Sequence, residues 1–138
     1  MPAFETDQTI LFQHCDPAGI VFYPRYFEML NAAVERWFDV GLGVSFAALH
    51  TDRRRGIPCV SLQTRFAAPS RLGEALKVRI AVEKLGGSSV ETEFAIVDAD
   101  GNIRIEGTQV QVHIDLDTGR PVRWPDDLRS ALNTFTKD

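Results

Sequence analysis

Three residues able to do chemistry stand side by side at His14, Cys15 and Asp16. They open the stretch HCDPAGIVFYPRYFEMLNAAVERWFD, residues 14–39. An imidazole beside a thiol invites a nucleophile–base reading. Neighbours on extended backbone point to opposite sides, however, and no third group is visible to orient the pair. Asp16 has two readings. It is a turn residue, bonding its own backbone ahead of Pro17, or it is a carboxylate aimed at something outside the chain. Gly19 permits a tight turn or a close backbone approach. Pro24 suits the first turn of a helix, where its missing N–H costs nothing. The first N–H groups of that helix lack intrahelical partners, and its positive end favours an ionised Asp16. His14 either ends a strand or hydrogen-bonds near the same place.

Other candidates carry weaker signals. Ser61 and Thr64 either line a pocket or are ordinary strand hydroxyls. Tyr23 and Tyr26 read as packed side chains, and Glu35 as solvated. Arg53, Arg54 and Arg55 form either an exposed helix end or a phosphate clamp. Three histidines and two cysteines are scattered without zinc spacing, so no metal site is expected. Cys59, within PCVSLQ, reads as a small buried strand residue.

The whole chain must position these groups. Its 138 residues form one expected domain, 1–138, and 44% apolar content suffices for one core. No repeat, low-complexity tract, signal segment or apolar run of membrane length is present, so a cytoplasmic protein without a membrane span is expected. Net charge is −4, unevenly spread: eight basic and two acidic residues between Arg53 and Lys84 leave +6 there and −10 elsewhere. That basic middle suits an anionic partner, or is the wet face of strands. No nucleic-acid partner is expected, since Phe66 is the one aromatic in it.

Residues 4–13 read as a strand centred on Ile10, Leu11 and Phe12. Residues 23–39 read as a long helix with Tyr23, Phe27, Leu30, Val34 and Trp37 on one apolar stripe. Gly41 and Gly43 end it. A short second helix is expected over 45–54. The period then changes to two: Val60 to Phe66, Leu76 to Val82, Val90 to Ile96, and a last strand from Ile103 to Asp115. LGGS (85–88) and DADGN (98–102) are turns. The last strand changes phase, from odd Ile103 and Ile105 to even Val110, Val112 and Ile114, which predicts a bulge at Gly107. Asp126 is expected to cap a terminal helix through about Asn133. The class is α+β, in the order β-α-α-β-β-β-β-α, with about five antiparallel strands curved around the long helix.

This order, with CDPAGIVFYPRYF, resembles the hot-dog fold thioesterases, and specifically the 4-hydroxybenzoyl-CoA thioesterase type. PCVSLQTRFAAPSRLGE adds a weaker similarity. The resemblance implies hydrolysis of an acyl-CoA, with Asp16 as catalytic carboxylate and the backbone N–H of Tyr23 as oxyanion donor. A thioester needs those two things: a nucleophile or base, and stabilisation of the oxygen as charge builds. His14, Gly19, Ser61, Thr64, Arg65, Lys84, Ser88 and Ser89 become candidate substrate contacts. No cofactor is implied, CoA being part of the substrate, and a homodimer or homotetramer is. In the relatives the hairpin at EKLGGSS carries basic residues that meet the CoA phosphates. Here Gly86 and Gly87 occupy that turn, so phosphate contacts are sought at Arg53–Arg55, Arg65 or Arg71. Dehydratase or hydratase chemistry by His14 and Asp16, or a non-catalytic acyl-CoA or partner-binding module, remain alternatives.

Overall fold

The computed structural model describes residues 3–137. Its centre is helix α1, Pro24–Arg36, which continues as a wider π-type turn over Trp37–Leu42 and closes at Gly43. Tyr26, Met29, Leu30, Ala33 and Val34 are buried along α1, and Trp37 and Phe38 beyond it. The expected stripe is thus rotated. Met29 enters the core, Phe27 is half-buried, and Tyr23 stands 59% exposed at the helix start. Tyr23 caps the helix with dihedrals that are already helical (φ −53°, ψ −35°), yet its ring lies at the open helix start against Phe22 and Phe66 instead of in the core.

Seven strands follow chain order: β1 Phe4–Thr9, β2 Arg55–Gly56, β3 Cys59–Phe66, β4 Ala75–Leu85, β5 Ser89–Val97, β6 Ile103–Val112 and β7 Ile114–Asp115. Five form one antiparallel sheet in the order β1-β4-β5-β6-β3, and β2 pairs with β7. The inward residues Leu76, Val78, Ile80 and Val82 of β4 and Val90, Phe94 and Ile96 of β5 pack on α1 as one core. This is the hot-dog arrangement, a sheet wrapped around a central helix. A second helix, α2, spans Asp126–Asn133. Pro125 is its cap and Asp126 its first helical residue, so the capping expectation is displaced by one. The expected helix at 45–54 is a single wide turn, Ala47–Asp52, with the Ser45 hydroxyl accepting from the Ala48 N–H at 3.1 Å.

Three further expectations are corrected. The first strand stops at Thr9, and Phe12–His14 form a tight 3₁₀ turn that leaves Leu11 and Phe12 exposed. The Leu11 N–H donates to His14 Nδ1 at 2.8 Å, which curls the chain away from the sheet. The bulge in β6 falls at Arg104, not Gly107: Ile96 pairs with Ile105 and Val97 with Ile103, leaving Arg104 extra. Gly107 stays in regular register, and a Cβ there would lie 1.9 Å from the Gln63 carbonyl oxygen. From Ile105 onward the inward residues are therefore odd-numbered, Ile103 before the bulge is exposed, and Gln109, Gln111 and His113 are buried where Val110, Val112 and Ile114 were expected. The glutamines stay satisfied, Gln109 Nε2 donating to Gln111 Oε1 and Gln111 Nε2 to the Ile57 carbonyl. Cys59 is exposed rather than buried, because β3 is the outer edge of the sheet.

Candidate active site

Asp16 sits in a hairpin that the sequence folds locally. Cys15 bridges Val21, the Asp16 N–H donates to the Ile20 carbonyl at 3.0 Å, and the Gly19 N–H donates to the Asp16 carbonyl at 2.9 Å. Pro17 and Ala18 fill the corners. Gly19 takes φ +81°, the left-handed position that completes such a three-residue loop. The Ala18 N–H donates to Asp16 Oδ1 at 2.9 Å, so the Asx turn is real. Among the described residues the second carboxylate oxygen has no protein partner and no ion pair holds Asp16. The turn reading of this residue is thus met by one of its two oxygens.

The hairpin leads directly to the helix start. The Phe22 N–H donates to the His14 carbonyl, and the Val21 N–H to the Ser70 carbonyl, each at 2.9 Å. The next N–H, that of Tyr23, makes no hydrogen bond among the described residues, and Pro24 has none to offer. Arg25 and Tyr26 then bond back to Phe22 and Tyr23. One unsatisfied donor thus stands at the positive end of α1. Beside it is a pocket of about 310 Å³, lined by Ile20, Val21, Tyr23 and Tyr26 and by Phe66, Ala67, Ala68 and Pro69. Tyr23, Tyr26 and Phe27 each pack their rings about Phe66. The wall is mostly apolar, with Tyr23, Tyr26 and Phe66 as its aromatic part.

His14 is buried beneath this hairpin, and burial pushes its imidazole below the ordinary value. With Nδ1 accepting from Leu11, it serves the loop as a neutral brace. Cys15 offers its thiol to the Leu11 carbonyl at 3.7 Å. Thr64 faces inward near Phe66, with a buried hydroxyl lacking a partner, whereas Ser61 is exposed on the edge strand. Arg65 is paired with Glu106. Lys84, Ser88 and Ser89 lie at the β4–β5 turn, at the other end of the strands. Ser89 pairs with Val112 while Ile96, seven residues on, pairs with Ile105 next to Phe66. At 3.2–3.4 Å per residue, that separates them from the Asp16 end by roughly 25 Å within one chain.

The basic middle is mostly neutralised. Arg53, Arg54 and Arg55 pair with Asp127, Asp117 and Asp115, Arg65 with Glu106, Lys77 with Asp7 and Arg79 with Glu5. Arg71 and Lys84 have no acidic partner among the described residues. The wet-strand reading therefore accounts for most of this charge. Two features escape the sequence. Arg123 lies against Gly87, its Nη1 3.2 Å from where a Cβ would stand, which brings a cation to the glycine turn from far along the chain. Tyr26, Ser70 and Arg104 join in a polar network behind the pocket, and only the fold assembles them. No group of three or more His, Cys, Asp or Glu among the described residues could hold a metal ion, and no described helix is long and apolar enough to cross a membrane.

A family model described as the thioesterase-like superfamily matches residues 10–132. The chain belongs to the thioesterase-like superfamily. Its class is thus thioester hydrolysis. A 1,4-dihydroxy-2-naphthoyl-CoA hydrolase of Prochlorococcus marinus is 24% identical over 141 residues, covering 94% of this chain and 91% of that protein. The crystal structure of a 1,4-dihydroxy-2-naphthoyl-CoA thioesterase from Synechocystis has a TM-score of 0.86 at 19% identity, covering 95% of this chain and 96% of the other. A gentisyl-coenzyme A thioesterase structure has a TM-score of 0.82 at 24% identity, covering 91% and 99%.

Proposed function

We propose that this thioester hydrolase cleaves an aryl-acyl-CoA to the free acid and CoA, in the manner of the 4-hydroxybenzoyl-CoA thioesterase type. The observation that carries the reading is the unbonded Tyr23 N–H on an apolar pocket that Tyr23, Tyr26 and Phe66 help to line, with Asp16, itself outside that lining, joined to it by one short hairpin. Relatives named for naphthoyl and gentisyl thioesters, and the rings of Tyr23, Tyr26 and Phe66, support an aromatic acyl group. The Tyr23 N–H donates to the carbonyl oxygen, and α1 stabilises the charge that develops on it. The free oxygen of Asp16 acts on the carbonyl carbon directly or through water. As nucleophile it forms a mixed anhydride, expels the CoA thiolate, and is released by water. As base it takes a proton from water, whose oxygen adds to the carbonyl carbon before the thiolate leaves. Neither route calls on a metal or redox cofactor. Unpaired thiols at Cys15 and Cys59 support a cytoplasmic setting.

We also propose a homodimer built on β3. This strand ends the sheet, and Val60 (61% exposed), Leu62 and Phe66 leave apolar surface along it. Such an edge is a template for pairing. Antiparallel pairing about a two-fold axis sets the Phe66 end of one strand beside the Cys59 end of the other. That brings Lys84, Ser88 and Ser89 of the partner subunit, with its glycine turn, towards the Asp16 end. Lys84 and Arg123 are then the cations available to the CoA phosphates.

Thiol release measured across aromatic and aliphatic acyl-CoAs, with wild type and Asp16→Asn, tests the reading. Aromatic substrates should be preferred and the variant inactive but folded. Full activity in Asp16→Asn removes the carboxylate from the mechanism, and binding without turnover in wild type makes the protein a carrier.

A further inference from the structure

Behind the pocket lies a charged side chain that the proposed reaction does not use. Arg104 is the extra residue of the β6 bulge, its side chain only 13% exposed. A bulge takes a residue out of strand alternation and re-aims it. Here it turns the guanidinium onto the 67–74 segment. Arg104 donates to the Pro69 carbonyl at 3.1 Å, to Ser70 Oγ at 3.2 Å, to both oxygens of Glu74 at 3.0 and 2.7 Å, and to Asp98 at 3.3 Å. Its own carbonyl accepts from the Ala67 and Ala68 N–H groups. One residue therefore holds the segment that forms a pocket wall by both its main chain and its side chain.

Ser70 passes that constraint to the catalytic side. It is 0% exposed, its carbonyl takes the Val21 N–H at 2.9 Å, and its hydroxyl takes the Tyr26 phenol at 3.0 Å. Val21 lies two residues before Tyr23, and Tyr26 three after. The unbonded N–H of Tyr23 is thus tethered on both chain sides to a single buried serine. We propose that Arg104, acting through Ser70, is a positioning residue that fixes the Tyr23 N–H against the pocket. This rests on the thioesterase reading above; Arg104 and Ser70 do not line the pocket, whereas Tyr26 does.

Loosening this tether should lower the rate and leave binding nearly unchanged. A donor displaced by about 1 Å can lose roughly 10²-fold in rate while the apolar pocket still takes its ligand. Arg104→Met, Ser70→Ala and Tyr26→Phe are compared with wild type by thiol-release kinetics, thermal melting and amide hydrogen exchange at Val21 and Tyr23. Expected are kcat losses of about 10- to 100-fold for Arg104→Met and smaller ones for the other two, with KM within about threefold and faster exchange at Val21. Arg104→Lys, which keeps the charge but not the bidentate fork, should stay impaired. Should Arg104→Met fail to fold, Ser70→Ala and Tyr26→Phe carry the same test. Variants that keep wild-type kcat, or lose activity only in proportion to unfolded protein, overturn the proposal. If wild type hydrolyses no acyl-CoA, the functional reading fails separately, and exchange at Val21 still decides this one: unchanged protection in folded variants refutes it.

Discussion

Asp16 divides its carboxylate between two tasks, with Oδ1 accepting from Ala18 and its second oxygen left without a protein partner. Replacement by asparagine keeps an oxygen for the Asx turn and removes the negative charge. Folding should therefore be nearly unchanged. Turnover should fall by about 10²–10⁴-fold, the range for a lost base, or further if Asp16 is the nucleophile. Steady-state kinetics beside a thermal melt checks this, and equal losses in both would mark a structural role. Gly19 supplies a second residue-scale test. A Cβ there meets nothing within 4 Å, so Gly19→Ala reports the cost of φ +81° alone. The expected loss is about 1–2 kcal/mol by urea unfolding. A neutral result would mean the turn relaxes elsewhere.

At the scale of elements, β3 is held to the rest of the sheet by one neighbour, β6. At Gly107 the two strands leave no room for a side chain: an added Cβ would meet the Gln63 carbonyl oxygen and lie 2.9 Å from the Phe94 ring. Backbone cannot give way as a flexible side chain does. Gly107→Ala should peel β3 from β6 or prevent folding, a loss beyond the usual 0.5–3 kcal/mol of a point change. Hydrogen exchange along β3, or soluble yield, is the measurement, and a well-folded variant with intact β3 protection would contradict the close approach. Sequence periodicity placed the inward face of β4 and β5 correctly because their inward residues are mostly apolar. It failed in β6 because the buried residues are glutamines and a histidine. Their burial is made possible by hydrogen bonds to Ile57 and to each other, and by His113 stacking on Trp124 at 4.7 Å, none of which alternation can reveal.

For the whole molecule, two properties follow from how charge and edges are arranged. Burial pushes His113 below its ordinary 6.5, aided by Arg55 and Arg53, and burial does the same to His14. The unfolded chain then takes up protons at a higher pH than the folded one. This contribution is fully present above about pH 7 and is lost as pH falls through 6.5 towards the folded values. The urea midpoint should therefore drop between about pH 7.5 and 5.5, and a level or rising midpoint would exclude neutral buried imidazoles. A separate acid limb comes from Asp127 and Asp117, which Arg53 and Arg54 hold below the usual 3.8. Their contribution is present above 3.8 and is lost as pH falls from there through the lower folded values. The exposed β3 edge makes the second prediction. Wild type should scatter light as a dimer or a multiple of one, and Leu62→Lys should shift it towards monomer with loss of turnover. An active monomer would dispose of a shared site.

What the chain determined by itself is local. The hairpin of Asp16 to Gly19, the helix beginning at Pro24 and the apolar alternation of β4 and β5 depend on neighbours within a few residues, so composition and spacing carry them. The tertiary structure alone decided which groups meet from afar. It set Arg104 behind Ser70, Arg123 against Gly87, and an acid against most of the basic middle. It also moved the bulge to Arg104 and left β3 at the edge. Those outcomes depend on strand order and register, which join residues tens of positions apart through contacts that no local pattern encodes.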